Sequence, residues 1–344
     1  MSRTQSPRLA TLAGFGLAAL ALFAAGPAQA WGTRGHEWIS GLAMERLPAE
    51  VPAFLRTKAV AEDVAVLARE PDRWRQAGAE HDGERDPAHY IHVDDQGLVL
   101  GALPAAALPD SREAFDAALR AKGTTQYQAG YLPYAILDGW QQLVKDFAYW
   151  RADRVAARTA VSPADRAWFA ADLARRERLV IRDLGVWSHY VGDASNPMHG
   201  STHYGGWGEG PNPRGYTRDG VHWPFEALFL RANLTRDQVL PGLMPYRDCG
   251  CAIQARTTAY LAAGRAQVVP LYDLEREGGF TDKPTPASRA FALARLAAGS
   301  NELRDMIVDA WRASAGASLA SPLIKVADIE SGKVVLTRKM FGDE

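Results

Sequence analysis

The chain has 344 residues, with 39 lysines and arginines, 40 aspartates and glutamates, and two cysteines. A hydrophobic fraction of 47% and a charged fraction of 23% exclude a disordered, collagen-like or coiled-coil chain. Two cysteines exclude a disulfide-built mini-scaffold, and a net charge of −1 gives no general attraction to nucleic acid or anionic membranes.

The first thirty residues have the pattern of a secretory signal peptide. Arg3 and Arg8 precede an apolar stretch over residues 9–25, and the Ala-Gln-Ala sequence at 28–30 is typical of a cleavage site. A membrane anchor is the weaker interpretation, because the apolar stretch is short and two glycines interrupt it. We therefore expect an exported protein, periplasmic or secreted, with a mature domain over residues 31–344 and no transmembrane anchor after cleavage. Cleavage would give Trp31 a free amine.

The mature chain predicts one mainly helical domain of the all-α class. Apolar residues recur at helical spacing in six stretches, and no repeat, low-complexity linker or charge block divides the chain. The predicted helices cover residues 36–47, 51–67, 111–121, 132–159, 163–191 and 288–315. Ser162-Pro163 marks one helix start, and the prolines at 284 and 286 break the chain before the last helix.

Two segments depart from this helical pattern. Residues 200–220 are rich in glycine and also contain two prolines, which predicts a loop. We expect this Gly-rich loop to lie over the active face of the domain. Residues 334–336 follow Glu-Ser-Gly-Lys and predict one half of a short C-terminal hairpin.

Histidines and acids occur together at helical spacing in the middle of the chain. His189 and Asp193 are four residues apart, as are His222 and Glu226, so each pair leaves one face of a helix. His199 follows an Asn-Pro step that should end the helix and turn the chain back. Imidazole and carboxylate on one helical face are a zinc-ligand arrangement. The combination of two such pairs with further histidines indicates more than one metal ion.

Three segments resemble the zinc-dependent phospholipase C / S1/P1 nuclease superfamily. They are Trp-Gly-Thr-Arg-Gly-His at 31–36, His-Tyr-Val-Gly-Asp-Ala-Ser-Asn-Pro-Met-His at 189–199 and His-Trp-Pro-Phe-Glu at 222–226. The resemblance spans residues 31–226 and, weakly, the last long helix. It implies an all-α exported enzyme of that fold type, with three Zn²⁺ ions and an N-terminal residue that ligates through its amine and carbonyl.

The resemblance assigns nine zinc ligands, with Asp193 bridging two ions. They are Asp72, His89, His189 and Asp193 for the first ion, Trp31, His36 and Asp193 for the second, and His199, His222 and Glu226 for the third. Asp63 is an alternative to Asp72. Asp72 as a surface acid and His89 as a loop histidine are the plain alternatives to ligation.

The implied reaction is phosphoester hydrolysis, in which hydroxide held by zinc attacks phosphorus in line. The resemblance assigns Asp72 and Asp193 to catalysis, and Arg75 and Tyr90 to substrate binding. Our first hypothesis is a nuclease, with nucleic acid as substrate and 3′-nucleotidase activity. The second is a phospholipase C that acts on phosphatidylcholine-like lipids, and the third is an exported metal-binding protein without catalysis. No stable protein partner is implied.

The residues leave the substrate open between the first two hypotheses. The spacing from His199 to His222 resembles the nuclease branch, whereas Glu226 resembles the phospholipase branch because nucleases usually carry aspartate there. His92 stands where nucleases usually carry the aspartate that reads the base. Tyr90 would stack a base or pack in the core.

Other residues also keep two interpretations. Tyr204, Trp207 and Tyr216 either form a substrate wall, by stacking bases or holding choline through cation–π contacts, or pack the Gly-rich loop. His203, near a candidate ligand in sequence, either supports that ligand or, as we expect, faces solvent. The two cysteines, which flank Gly250, either form a bridge or remain thiols.

Overall fold

The computed structural model describes residues 31–208 and 210–342. The predicted signal peptide, residues 1–30, lies outside the described residues. In the described part of the chain, no helix is both long enough and apolar enough to cross a membrane.

Helices dominate the architecture, with 64% of the described residues in helix and 3% in strand. In chain order they are α1 (Gly32–Glu45), α2 (Lys58–Leu67), α3 (Glu70–Arg73), α4 (Ala79–Arg85), α5 (Arg112–Arg120), α6 (Gln126–Ala129), α7 (Leu132–Thr159), α8 (Pro163–Asp193), α9 (Leu230–Asn233), α10 (Ile253–Arg265), α11 (Val268–Arg276), α12 (Pro286–Ser314) and α13 (Val326–Glu330). A π-helical segment, Pro224–Phe229, runs directly into α9. These helices form a single domain, which confirms the coarse all-α prediction.

Two small antiparallel hairpins account for the strands. They are β1 (Leu98–Val99) with β2 (Leu103–Pro104), and β3 (Ser318–Leu319) with β4 (Ile324–Lys325). A C-terminal hairpin therefore exists, but the prediction that residues 334–336 form half of it is wrong. That segment folds back on α13, because Val334 N–H donates to the Asp328 carbonyl at 3.0 Å and Leu336 is buried.

Capping side chains set the helix starts. Ser162 accepts a hydrogen bond from Asp165 N–H at 2.9 Å and starts α8 where predicted. Threonine caps set two starts that differ from the prediction. Thr57 caps α2, so the helix predicted over 51–67 is split into a 3₁₀ turn, Ala53–Arg56, and α2. Thr285 caps α12, which therefore begins at Pro286 rather than at residue 288, since proline fits a first helical turn.

The main hydrophobic core lies where α7 and α8 pack side by side against α1, α2 and α12. Ile39, Leu143, Leu184 and Leu303, one from each of four helices, are fully buried there. The sequence prediction missed α10 and α11. The missed α10 matters for the site, because the Tyr260 hydroxyl donates to the Val191 carbonyl at 2.9 Å and thereby ties α10 to the last turn of α8.

Candidate metal centre

The last turn of α8 presents the central pair of the site. His189 and Asp193 are both fully buried, and His189 Nε2 lies 3.4 Å from Asp193 Oδ2. The helix thus holds an imidazole and a carboxylate on one buried face, as their spacing predicts.

Two more histidines reach Asp193 from distant parts of the chain. His36 on α1 places Nε2 3.4 Å from Asp193 Oδ1, and His89, at the end of a 3₁₀ turn, places Nδ1 3.2 Å from Asp193 Oδ2. His89 Nδ1 and His189 Nε2 are 2.9 Å apart. One buried carboxylate therefore has three imidazoles within 3.5 Å.

Asp72, rather than Asp63, joins this group. Asp72 Oδ1 on α3 lies 3.9 Å from His189 Nε2 and 3.3 Å from Arg75 Nε, whereas Asp63 is exposed on α2. Arg75 Nε also lies 3.5 Å from Asp86 Oδ1. We call the set the five-residue group; its members are His36, Asp72, His89, His189 and Asp193.

A second set, the three-residue group, lies beside the first and contains His199, His222 and Glu226. His222 Nε2 is 2.8 Å from Glu226 Oε2 and 3.0 Å from His199 Nε2. Glu226 is fully buried within the π-helical segment, a helix form that is frequent at functional sites. The four-residue spacing of His222 and Glu226 thus brings both side chains to one point, as predicted.

Trp31 contacts the three-residue group. Its backbone N–H donates to Glu226 Oε2 at 3.1 Å, and its indole N–H donates to Ser195 Oγ at 2.7 Å. The family resemblance instead groups Trp31 with His36 and Asp193. Trp31 also adopts a left-handed backbone, with φ 40°, a conformation that is uncommon for residues with a side chain.

Asn196 is a site residue that sequence reasoning missed. Its side-chain N–H donates to Glu226 Oε2 at 3.1 Å. The sequence signals only the helix end at Asn196-Pro197, and gives no sign of a contact to a residue 30 positions away.

Backbone carbonyls fix which nitrogen of two histidines faces the centre. His189 Nδ1 lies 2.7 Å from the Ala68 carbonyl, and His199 Nδ1 lies 2.6 Å from the His89 carbonyl. A carbonyl only accepts, so each Nδ1 must carry the proton and each Nε2 keeps its lone pair toward the neighbouring acids. Metal-ligating histidines are typically oriented by such a bond.

Burial disfavours charge on both kinds of side chain. It lowers the pKa of His89 and His189 well below the usual range, and lowers the pKa of His199 to about 4 and of His222 to about 3. These imidazoles are therefore neutral near pH 7, with lone pairs available to a metal.

Burial also disfavours the charged form of the acids in both groups. Burial raises the pKa of Asp193, Asp72 and Glu226, and the charge of Asp72 raises that of Asp193 further. Among the described residues, Asp193 Oδ1 and Glu226 Oε1 are buried without a hydrogen-bond partner. A bound cation would satisfy both oxygens.

Three sets of side chains in this centre could each hold a metal ion. Within each set the ligand atoms lie within 4.8 Å of one another. The sets are His36, His189 and Asp193; Asp72, His89 and His189; and His199, His222 and Glu226. Nitrogen and carboxylate donors in groups of three suit zinc and other divalent transition metals.

The centre opens into a cleft of about 250 Å³, lined in part by Arg75, His89 and His222. One wall is a stack of three rings. Tyr90 lies on His92 with ring centroids 4.4 Å apart, and His92 lies on Tyr204 at 4.6 Å. Tyr204 remains 45% exposed, so the stack ends on a face open to solvent.

The aromatic residues of the Gly-rich loop therefore divide into two kinds. Tyr204 lines the cleft, whereas Trp207 and Tyr216 are buried and pack with Tyr272 of α11. The prediction that His203 faces solvent is wrong. Its ring is buried against Trp207 at 3.8 Å, because the loop folds back onto the domain.

The two cysteines on either side of Gly250 form a disulfide bond. Both sulfur atoms are therefore bonded, and the described residues contain no free thiol.

No protein-family model matches the chain, and no curated protein matches it by sequence.

Proposed function

We propose that this chain is an exported zinc-dependent phosphoesterase with three Zn²⁺ ions, and that it acts on nucleic acid as a nuclease with 3′-nucleotidase activity. One observation carries the proposal: a buried carboxylate, Asp193, lies within 3.5 Å of three imidazoles at the base of an open cleft. The resemblance of residues 31–36, 189–199 and 222–226 to the zinc-dependent phospholipase C / S1/P1 nuclease superfamily supports the same reaction class and fold type.

In this proposal, separate residues of the centre and the cleft bind the metal ions and the substrate. The five-residue group, with the three-residue group beside it, would hold the ions, which would supply Lewis-acid activation of water and neutralise phosphate charge. Arg75, aligned by Asp72 and Asp86, lines the cleft and presents a cation suited to phosphate oxygens.

The ring stack favours nucleic acid over lipid as substrate. Tyr204 offers an open face at its end, and every nucleobase has a face that stacks on an aromatic ring. Burial lowers the pKa of His92 to about 4, so the middle ring is neutral near pH 7. The stack therefore presents no fixed charge that would select one base.

Phospholipase C activity is the second candidate function. In this candidate the exposed ring of Tyr204 would instead hold the quaternary ammonium of choline by a cation–π contact. This candidate requires the phosphate of phosphatidylcholine to enter the same cleft.

A metal-dependence assay tests the proposal. The protein is treated with EDTA, then given zinc, and assayed on single-stranded DNA, RNA, 3′-AMP and phosphatidylcholine. We expect hydrolysis of the three nucleotide substrates to disappear with EDTA and return with zinc. Cleavage of phosphatidylcholine alone would replace the first candidate by the second, and no turnover despite bound zinc would refute both.

The position of Trp31 gives a test of processing. We propose that removal of residues 1–30 frees the Trp31 amine close to Glu226, where the backbone nitrogen lies at 3.1 Å. A chain that begins at Trp31 should then bind more zinc, and hydrolyse faster, than a chain that keeps Ala30. Metal content measured by mass spectrometry makes the comparison; equal content in the two chains would remove Trp31 from the ligand set.

A further inference from the structure

A second cavity lies behind the metal centre. It has a volume of about 450 Å³ and is formed between the β1–β2 hairpin with the segment after it and one face of α10. Small-molecule sites typically have volumes of roughly 300–1,000 Å³. The cavity is therefore large enough for a small-molecule ligand.

The cavity and the cleft share one wall. Tyr90 and His92 line the cleft, whereas Ile91 and Val93 line the cavity, as expected when successive side chains of an extended segment point to opposite sides. Ile91 N–H donates to the His199 carbonyl at 2.8 Å, which fixes this wall to the metal centre. The second cavity is thus distinct from the candidate active site but lies directly against it.

The lining is mostly hydrocarbon. Leu98, Leu108 and Leu261 line the cavity together with Ile91 and Val93 of the shared wall. Such a lining favours an apolar ligand, because binding would remove the ligand's methylene groups from water.

Arg265 provides one positive charge at this apolar surface. Among the described residues that line the cavity, Arg265 is the one charged residue. None of the carboxylates in residues 31–208 and 210–342 forms an ion pair with it. Its guanidinium donates to the Asp94 carbonyl at 3.4 Å. A Cβ atom at Gly97, on the opposite wall, would lie 3.7 Å from Nη2 of Arg265, so the charge lies at the hairpin side of the cavity.

We propose that this cavity binds a single-chain amphiphile with an anionic head. The chain would lie against Leu98, Leu108 and Leu261, and the head would pair with Arg265. A carboxylate and a phosphate monoester share the chemistry that Arg265 recognises, so a fatty acid and an alkyl phosphate are the two sources of such a ligand.

Calorimetric titration of the zinc-loaded protein with decanoate, decyl phosphate and decanol tests the proposal. We expect saturable binding of one anionic molecule per chain. Arg265→Gln should weaken binding of the anions by about tenfold, since it removes a charge-assisted bond, and should leave decanol binding unchanged. Arg158→Gln, which alters an exposed arginine on α7, is the matched control and should have no effect.

A space-filling pair separates this cavity from the metal centre as the binding place. Ala105→Phe fills the cavity, whereas Ala107→Phe adds the same ring to an exposed neighbour outside it. We expect the first variant to lose binding of all three compounds and the second to keep it, with thermal unfolding used to verify that both are folded. Absence of saturable anion binding, equal affinity in the two arginine variants, or binding that survives Ala105→Phe would overturn the proposal.

Discussion

The two ends of α8 both bury aspartate, but with different partners. Toward its start, Asp172 lies 3.2 Å from Arg176 and beside the fully buried Asp153 of α7, which is 3.9 Å from the same guanidinium. At its last turn, Asp193 lies among three imidazoles. Both regions remove carboxylates from water, yet only the second also provides neutral nitrogen lone pairs.

The partners decide how each buried acid is neutralised. Burial, followed by the nearby charge of Asp172, raises the pKa of Asp153 to about 8, so that acid keeps its proton at neutral pH. At the other end, imidazoles and a second carboxylate form a donor set for a cation. A buried acid therefore indicates a metal site only when neutral donors surround the same point.

The largest expected effect comes from Asp193→Asn. Loss of the carboxylate that reaches three imidazoles should weaken zinc binding at the five-residue group by at least about 100-fold, and hydrolysis should fall in parallel. Zinc titration of the metal-free protein measures the change. Asp172→Asn, at the other end of the same helix, is the control and should bind zinc normally; weakened binding in both variants would show that the two ends do not differ in this way.

A more restricted effect is expected from Glu226→Gln. Glu226 Oε2 lies 2.8 Å from His222 Nε2, and the amide would leave that group without an anionic oxygen. We expect about one equivalent of zinc to be lost while the five-residue group keeps its metal, as measured by mass spectrometry. Glu177→Gln is the matched control, because Glu177 on α8 accepts a hydrogen bond from the Trp150 indole, away from the centre. Complete loss of zinc from Glu226→Gln would mean that the two groups depend on each other.

The smallest effect is a pH dependence of stability from Asp153. The pKa of Asp153 is higher in the folded than in the unfolded chain, so the folded state holds the proton more tightly. The free energy of unfolding therefore falls as the pH rises from about 4 through about 8. Asp153→Asn should remove this loss. Between pH 5 and pH 9 its free energy of unfolding should therefore rise by at least about 1 kcal/mol relative to that of the wild type. Urea unfolding at both pH values measures it.

Asp282→Asn, an exposed change, provides the control for that measurement. It should follow the wild-type profile. If Asp153→Asn follows the same profile, Asp153 does not hold a proton in the folded state, and the two ends of α8 would then be more alike than proposed.

The sequence predicts local arrangements in this protein better than distant ones. The spacing of His189 and Asp193, and of His222 and Glu226, was enough to place each pair on one helical face. The helix predicted over residues 132–159 also matches α7 over its full extent.

Contacts between distant segments could not be predicted from pattern. The sequence favours Asp72 as a ligand but keeps Asp63 as an alternative, and the packing of α3 near α8 distinguishes the two positions. The same holds for Asn196, whose contact with Glu226 depends on how the π-helical segment returns to α8. Helix α10 was missed altogether.

The contact between Trp31 and Glu226 joins distant parts of the sequence, and this separation bears on how the protein folds and binds metal. These residues are 195 positions apart, and the candidate metal ligands come from segments spread across that interval. The three-residue group lies within residues 199–226, whereas the donors of the five-residue group come from residues 36 to 193, so a metal ion could bind the five-residue group only after distant parts of the chain have come together. Metal binding at the five-residue group would then be a late step of folding, which stabilises a nearly complete fold rather than nucleating it.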